Sequence, residues 1–378
     1  MLLNPTTKEH GIVNRVQGNL FGYQGWPSVA RDENGVLYAV ASSFRTEHVC
    51  PFGKNAMYVS KNNGKTWSPP IIVNDTYLDD RDAGILYMGN GRMLITWFSH
   101  PAETYMKEYF VGIKNSAQPI EAAPTIGMLS MYPYLKPQYA HGGSFIRISE
   151  DYGYTWSDPI QLPISAPHGP NLCADGTLIY LGKEHYSAAL AQPEEAKTIA
   201  AYASKDGGYT WERRGSCKKP DDAIWDNFHE PHVIELPDGT LLGAIRAEGQ
   251  NITPSFTIYT TVSKDQGKTW SEWRNLGVCG SPPHLLRHSS GAIICSFGRR
   301  TPPFGERAIV SYDNGETWTE EYNIDDRAKD GDLGYPASVE LDDGSIMTVY
   351  YQKVYHAEED RYDGKPSILY TRWRLNDR

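Results

Sequence analysis

Short apolar runs broken by tight-turn dipeptides recur along the whole chain. Two such runs flank Asn34-Gly35, Asn90-Gly91, Asp175-Gly176, Asp238-Gly239 and Asp343-Gly344, with Ser290-Gly291 in a sixth place. Asn-Gly and Asp-Gly between apolar runs are the strongest short signal for a β-hairpin, because both turn residues must take positive φ. Between these hairpins a second pattern, Ser-x-Asp-x-Gly-x-Thr-Trp, occurs five times: Ser60–Trp67 (with Asn62 in the Asp place), Ser149–Trp156, Ser204–Trp211, Ser263–Trp270 and Ser311–Trp318. Each copy follows a β-rich run and precedes another extended stretch, so it too reads as a hairpin turn.

Hairpin, loop, strand, box and strand together make a four-stranded antiparallel unit. Six of them in a row predict an all-β, six-bladed β-propeller over residues 1–378. The units run at approximately 27–73, 83–162, 168–216, 230–276, 282–324 and 335–375. The last has three strands and no box, so the segment around Gly11–Gly18 is expected to supply its fourth strand and close the ring, which removes the sheet edges. Residues 101–142, rich in Pro and Tyr, interrupt the second unit and are expected to form a lid, a subsite wall or a subunit contact.

In a propeller the first strand of each blade lies nearest the axis, and function gathers where those strands begin. Eight residues before the first turn residue stand Trp26, Asp82, Glu230 and Tyr335, in one shared register. Antiparallel pairing returns the second strand to the same mouth and adds Arg45 and Arg246, and the following loops add His48 and Arg307. Asp80, Arg81, His168, His229, His232, His284 and Arg300 complete a rim rich in Arg and His, residues suited to ligands with hydroxyl or anionic groups. A phenol titrates near 10, so Tyr335 needs a base before it can act as a nucleophile, and Glu230 is the carboxylate in the matching place.

The chain is 40% hydrophobic and 22% charged, which suits a globular protein with a large core. A net charge of -10 argues against nucleic acid and anionic membrane as partners. Five scattered cysteines show no CxxC spacing, and the rim histidines show no ligand spacing, so neither a metal nor another cofactor is expected. The N-terminus lacks a basic start followed by an apolar stretch, which reads as a cytoplasmic protein, or a secreted or periplasmic one if a signal has been removed.

The box motifs resemble those of the sialidase superfamily, and the resemblance spans nearly the whole chain. It implies a retaining glycoside hydrolase that releases a terminal, acidic sugar, with Tyr335 as nucleophile, Glu230 as its base, and Arg246 and Arg307 as two members of an arginine triad. Two family features are missing. Gly25-Trp26-Pro27 stands where the family has Arg-Ile-Pro, and the loop Arg45–Lys54 lacks the acid/base aspartate. Asp82 or His48 would then protonate the leaving oxygen, Arg45 or Arg81 would replace the lost arginine, and Asp80, Trp26, His168 and His284 would contact the carbohydrate. A propeller-type polysaccharide lyase and a carbohydrate-binding protein without turnover are the competing readings. The sugar, its linkage and the oligomeric state are not read from the sequence.

Overall fold

The computed structural model describes residues 2–111, 119–184 and 197–376 and is a six-bladed β-propeller of four-stranded antiparallel blades. From the axis outward, blade I comprises Tyr23–Arg31, Leu37–Arg45, Lys54–Ser60 and Ile71–Asn74. Blades II to V repeat this order within Arg81–Leu162, Asn171–Ser216, Phe228–Asn275 and His284–Asp325. Blade VI joins Gly334–Glu340, Ile346–Gln352 and Ser367–Trp373 to the N-terminal strand Lys8–Asn14. The ring therefore closes as expected, with Lys8 opposite Trp373 and Gly11 opposite Tyr370.

Apolar side chains from neighbouring blades interdigitate into layers. One seam packs Trp26, Val29 and Tyr58 of blade I against Tyr335, Val349 and Tyr351 of blade VI. The Asp boxes close the outer hairpins at the far face. In the fourth box Asp265 accepts hydrogen bonds from the Thr269 amide (2.9 Å) and hydroxyl (2.6 Å) and from Ser263 Oγ (2.9 Å), while Trp270 Nε1 donates to the Gly267 carbonyl (3.2 Å). The four boxes that carry Asp are thus self-satisfied turns, which explains their recurrence without any catalytic role, and the first, with Asn62, keeps the turn bonds but leaves Trp67 Nε1 without a partner.

The innermost strands of four blades share a distortion. In blades I, II, IV and VI two residues on the first strand face one on the second, between Gly25 and Ser28, Arg81 and Gly84, His229 and His232, and Gly334 and Ala337. Each bulge holds the register residue in the left-handed region: Trp26 at φ 51°, Asp82 at 51°, Glu230 at 46° and Tyr335 at 50°. That conformation disfavours any residue with a Cβ, and bulges of this kind re-aim a side chain out of the strand's alternation. The insertion in blade II folds over its own small core of Leu78, Ala102, Tyr105, Leu129 and Tyr132. It docks on the mouth through the buried Tyr105, whose hydroxyl donates to Asp79 Oδ2 at 3.2 Å.

Candidate active site

The bulges of blades IV and VI bring a phenol and a carboxylate together. Tyr335 Oη donates to Glu230 Oε1 at 2.6 Å, and Arg246 Nη1 reaches both Glu230 Oε2 (2.5 Å) and Tyr335 Oη (3.3 Å). Arg246 stands opposite His229 on the second strand, so the hairpin itself sets this geometry. Its other terminal nitrogen donates to Glu248 Oε2 at 2.8 Å. Arg300, at the end of the second strand of blade V, places its guanidinium carbon 5.3 Å from the centre of the Tyr335 ring. It is fixed there by the Leu333 carbonyl (2.9 Å) and the Tyr351 hydroxyl (2.8 Å).

Electrostatics divides the labour among these groups. Burial holds the Tyr335 phenol well above its usual range, and the nearby Glu230 and Asp82 carboxyls add to this, so the resting group is neutral and donates its proton. Burial also works against the Glu230 anion, but the Arg246 guanidinium and the phenol's hydrogen bond overcome it and hold this carboxyl below its ordinary value. Asp82 is different. Burial, then the Glu230 charge, pushes it up to about 7, and its buried Oδ1 has no hydrogen-bond partner. The site therefore pairs an ionised carboxylate with a carboxyl that keeps its proton near neutrality.

His48 lies beside the same site, its ring edge against Trp26 with centroids 5.0 Å apart. Its Nδ1 is 2.9 Å from Tyr23 Oη and 3.0 Å from Asp332 Oδ1, and Asp332 also accepts from Tyr23 (2.8 Å) and Tyr351 (3.2 Å). Burial lowers the His48 pKa from its usual value despite Asp332, which leaves the imidazole uncharged at neutral pH.

Trp26 is only 1% exposed and offers no face to a sugar. Its ring instead lies 4.2 Å from the guanidinium carbon of Arg81 and 4.6 Å from that of Arg45. Arg45, fully buried, grips both oxygens of Asp79, at 2.7 Å through Nη2, and Arg81 Nη1 donates to the His48 carbonyl at 3.2 Å. Aromatic ring, two arginines and Asp79 form one closed plug where the resemblance places a free arginine. Asp80 turns inward as well. It accepts from the Thr76 amide and hydroxyl (2.8 Å each) and from Ser99 (3.0 Å), and burial pushes it up to about 7.

Three expected contacts are placed elsewhere. Strand alternation turns Arg307 away from Tyr335: its Nη1 donates to the carbonyls of Glu306 (2.9 Å) and Asp325 (3.0 Å), within blade V. Arg300, seven residues earlier, is the blade V arginine at the phenol. His168 and His284 line an axial cavity of about 650 Å³ together with His232. The His232 and His284 rings stack at 4.5 Å, and the His168 centroid lies 5.7 Å from the first and 5.0 Å from the second. Among the described residues no group of three or more His, Cys, Asp or Glu side chains is arranged to hold a metal ion.

Asp79, Glu248 and Asp332 are the site residues that the sequence reading passed over. Glu248 was within reach, being two residues beyond Arg246 on the same strand and so on the same face. Asp79 and Asp332 sit in loops whose partners lie far away in sequence, and no local pattern marks them.

Comparison with known proteins agrees with this architecture. A family model described as BNR repeat-like domain matches residues 119–350, and one described as BNR/Asp-box repeat matches residues 58–69. No curated protein matches the sequence. Among solved structures, a protein of unknown function from Dyadobacter fermentans superimposes with a TM-score of 0.73 at 21% identity, over 97% of this chain and 98% of that one. The NanB sialidase of Streptococcus pneumoniae gives 0.66 at 15% identity, over 97% of this chain and 70% of that one. The α-L-arabinofuranosidase arb93a of Fusarium graminearum gives 0.57 at 14%, over 93% of both chains. The family match covers more than half of the sequence, and with six closed blades and five Asp boxes the chain belongs to the BNR repeat-like family of sialidase-type propellers.

Proposed function

We propose that the protein is a retaining glycoside hydrolase in which Tyr335 attacks the anomeric carbon of a terminal sugar. The observation that carries this reading is the 2.6 Å hydrogen bond from Tyr335 to Glu230, with Arg246 touching both. As the phenol oxygen bonds to carbon, its proton passes to Glu230, and Arg246 supports the charge that develops on the oxygen. Asp82 gives its proton to the departing oxygen, which breaks the glycosidic bond. It then takes a proton from the water that opens the glycosyl-tyrosine. His48 is less suited to that step because it is uncharged at neutral pH, whereas Asp82 still holds a proton there.

Four non-glycine residues are held at φ near +50°, and conformations of this kind cost on the order of 1 kcal/mol each. Three of the four side chains so aimed are the nucleophile, the base and the acid of the proposed reaction. Hydrolysis of a panel of aryl glycosides by the wild type and by Tyr335→Phe tests the reading. Turnover lost in the variant, with sugar binding retained, is the expected result. A variant that keeps wild-type turnover would refute it.

A further inference from the structure

We infer that His48 is a substrate-binding residue whose Nε2 accepts a hydrogen bond from a hydroxyl of the bound sugar, and that Asp332 is the positioning residue that turns this acceptor to the mouth. The inference rests on the hydrolase reading and deepens it, since it gives a role to a group that the proposed reaction leaves unused.

An uncharged imidazole bears a proton on one ring nitrogen and a lone pair on the other, and His48 is uncharged at neutral pH. Its Nδ1 lies 2.9 Å from Tyr23 Oη and 3.0 Å from Asp332 Oδ1. Burial works against the Asp332 anion, but the hydrogen bonds from His48, Tyr23 and Tyr351 overcome it and hold this carboxyl below its ordinary value. Asp332 is therefore ionised and only accepts. A bare Nδ1 would set its lone pair against that anion at hydrogen-bond distance. Tyr23, whose phenol burial holds well above its usual range, keeps its own proton and donates it to Asp332 at 2.8 Å. The imidazole proton thus lies on Nδ1, and the lone pair is left on Nε2.

That lone pair is open to a ligand. The His48 side chain is 45% exposed, and Nε2 has no hydrogen-bond partner among the described residues. The imidazole stands edge-on to Trp26 with centroids 5.0 Å apart, and Tyr335 stands edge-on to the same indole at 6.4 Å, so acceptor and nucleophile flank one buried ring. Asp332 also reaches the other neighbour of the phenol. Its Oδ1 accepts from Tyr351 Oη at 3.2 Å, and Tyr351 accepts from Arg300, whose guanidinium lies against the Tyr335 ring. One carboxylate oxygen thus orders an acceptor, His48, and a donor, Arg300, beside the nucleophile. A sugar hydroxyl is the donor that suits the first, whereas the second suits any oxygen of the same sugar, hydroxyl or carboxylate alike.

Two measurements test it. Long-range proton–nitrogen NMR spectra of the wild type, with the His48 signals identified by their loss in His48→Phe, should show the imidazole proton on Nδ1. In Asp332→Asn it should move toward Nε2, with urea unfolding checking that the variant is folded. A proton on Nε2 in the wild type overturns the inference whether or not the protein turns over a glycoside. The second measurement is a double-mutant cycle on an aryl glycoside that the wild type cleaves, run with its monodeoxy analogues. At one position, loss of the hydroxyl should lower kcat/KM by about 3- to 10-fold in the wild type, the range of one hydrogen bond between uncharged partners, and should cost nothing further in His48→Phe. His48→Phe should raise KM and leave kcat within about twofold, whereas Asp332→Asn should raise KM and lower kcat as well, because it loosens Arg300 together with His48. If no hydroxyl couples to His48, the inference falls and the hydrolase reading stands. If no glycoside is cleaved, the hydrolase reading falls, and the cycle is run on the dissociation constants of the free sugars and their deoxy analogues. The same coupling there supports the inference, and its absence, or no binding at all, overturns it.

Discussion

Asp82→Asn gives a prediction whose size follows from the structure. In the unfolded chain this carboxyl titrates at 3.8, and in the folded protein it is pushed up to about 7, by burial first and then by the Glu230 charge. The folded state therefore holds the proton over a range in which the unfolded state has released it. The contribution of the group to stability is present in full below the unfolded value and is lost as pH rises through the folded one. At about 1.4 kcal/mol per pH unit, less as the folded group ionises, the loss amounts to roughly 2 kcal/mol between pH 5 and pH 7, and to roughly 4 kcal/mol over the whole titration from 3.8 to beyond 7. Asparagine keeps the shape and cannot ionise. Urea unfolding of wild type and variant at a series of pH values should show the variant gaining on the wild type by about 2 to 3 kcal/mol between pH 5 and pH 8, with the change ending above pH 7. Asp80 is also raised to about 7, but it is present in both proteins and cancels in the difference. The activity of the wild type should fall through the same pH as the acid loses its proton. The variant should retain more of its rate on substrates with good leaving groups than on those with poor ones. A stability difference that does not change with pH would show that Asp82 is ionised in the folded protein at pH 5, and the assignment of the acid would fall with it.

Three further outcomes test the framework around the site. Trp26→Ala removes a fully buried ring from between two guanidiniums and should lower stability by about 3 to 5 kcal/mol in urea unfolding, with a parallel loss of activity. Asp265→Ala breaks the bonds to Thr269 and Ser263 in one partly exposed turn and should cost about 1 kcal/mol, with kcat/KM unchanged in the glycoside assay. A Cβ on Gly11 would fall 2.2 Å from Tyr370 Cζ, so Gly11→Val must displace either the ring or the closing strand. A lower urea midpoint, by about 1 to 3 kcal/mol, is expected, and an unchanged midpoint would mean that ring closure does not depend on this contact.

The fold was legible because its signals are local. Turn chemistry at Asn34-Gly35 or Asp343-Gly344 and the self-contained boxes lie within eight residues, so each hairpin announces itself, and closure follows from one missing strand. The register of Trp26, Asp82, Glu230 and Tyr335 was legible for a related reason, since a strand between a fixed turn and a fixed mouth has a fixed length. What decides which side chain reaches the phenol is finer than that. Arg307 stands on the correct strand, but its neighbour Glu306 takes the opposite face, and a shift of one residue exchanges them. Arg300 follows the end of a strand and meets Tyr335 only through the packing of blade V on blade VI. Asp79 and Asp332 meet their partners across separations of 34 and 309 residues, to Arg45 and Tyr23, which no periodicity encodes.

Each of the four bulges turns one side chain toward the mouth. Trp26, Glu230 and Tyr335 each precede a proline, which has no amide hydrogen to contribute to the ladder at the point where the extra residue enters. Asp82 precedes Ala83 and takes the same conformation, so the distortion belongs to the blade architecture and does not depend on proline. At Glu230, Tyr335 and Asp82 it aims a reactive group at one spot. At Trp26 it aims an indole there instead, and the indole is covered by Arg45 and Arg81, which share Asp79. The strained position where the resemblance implies an arginine thus holds an indole inside a buried plug. Tyrosine, glutamate and a protonated aspartate stand at this mouth beside the partly exposed Glu248, Asp332 and Arg300. In the proposed reaction, chemistry on the anomeric carbon uses the first three as nucleophile, base and acid.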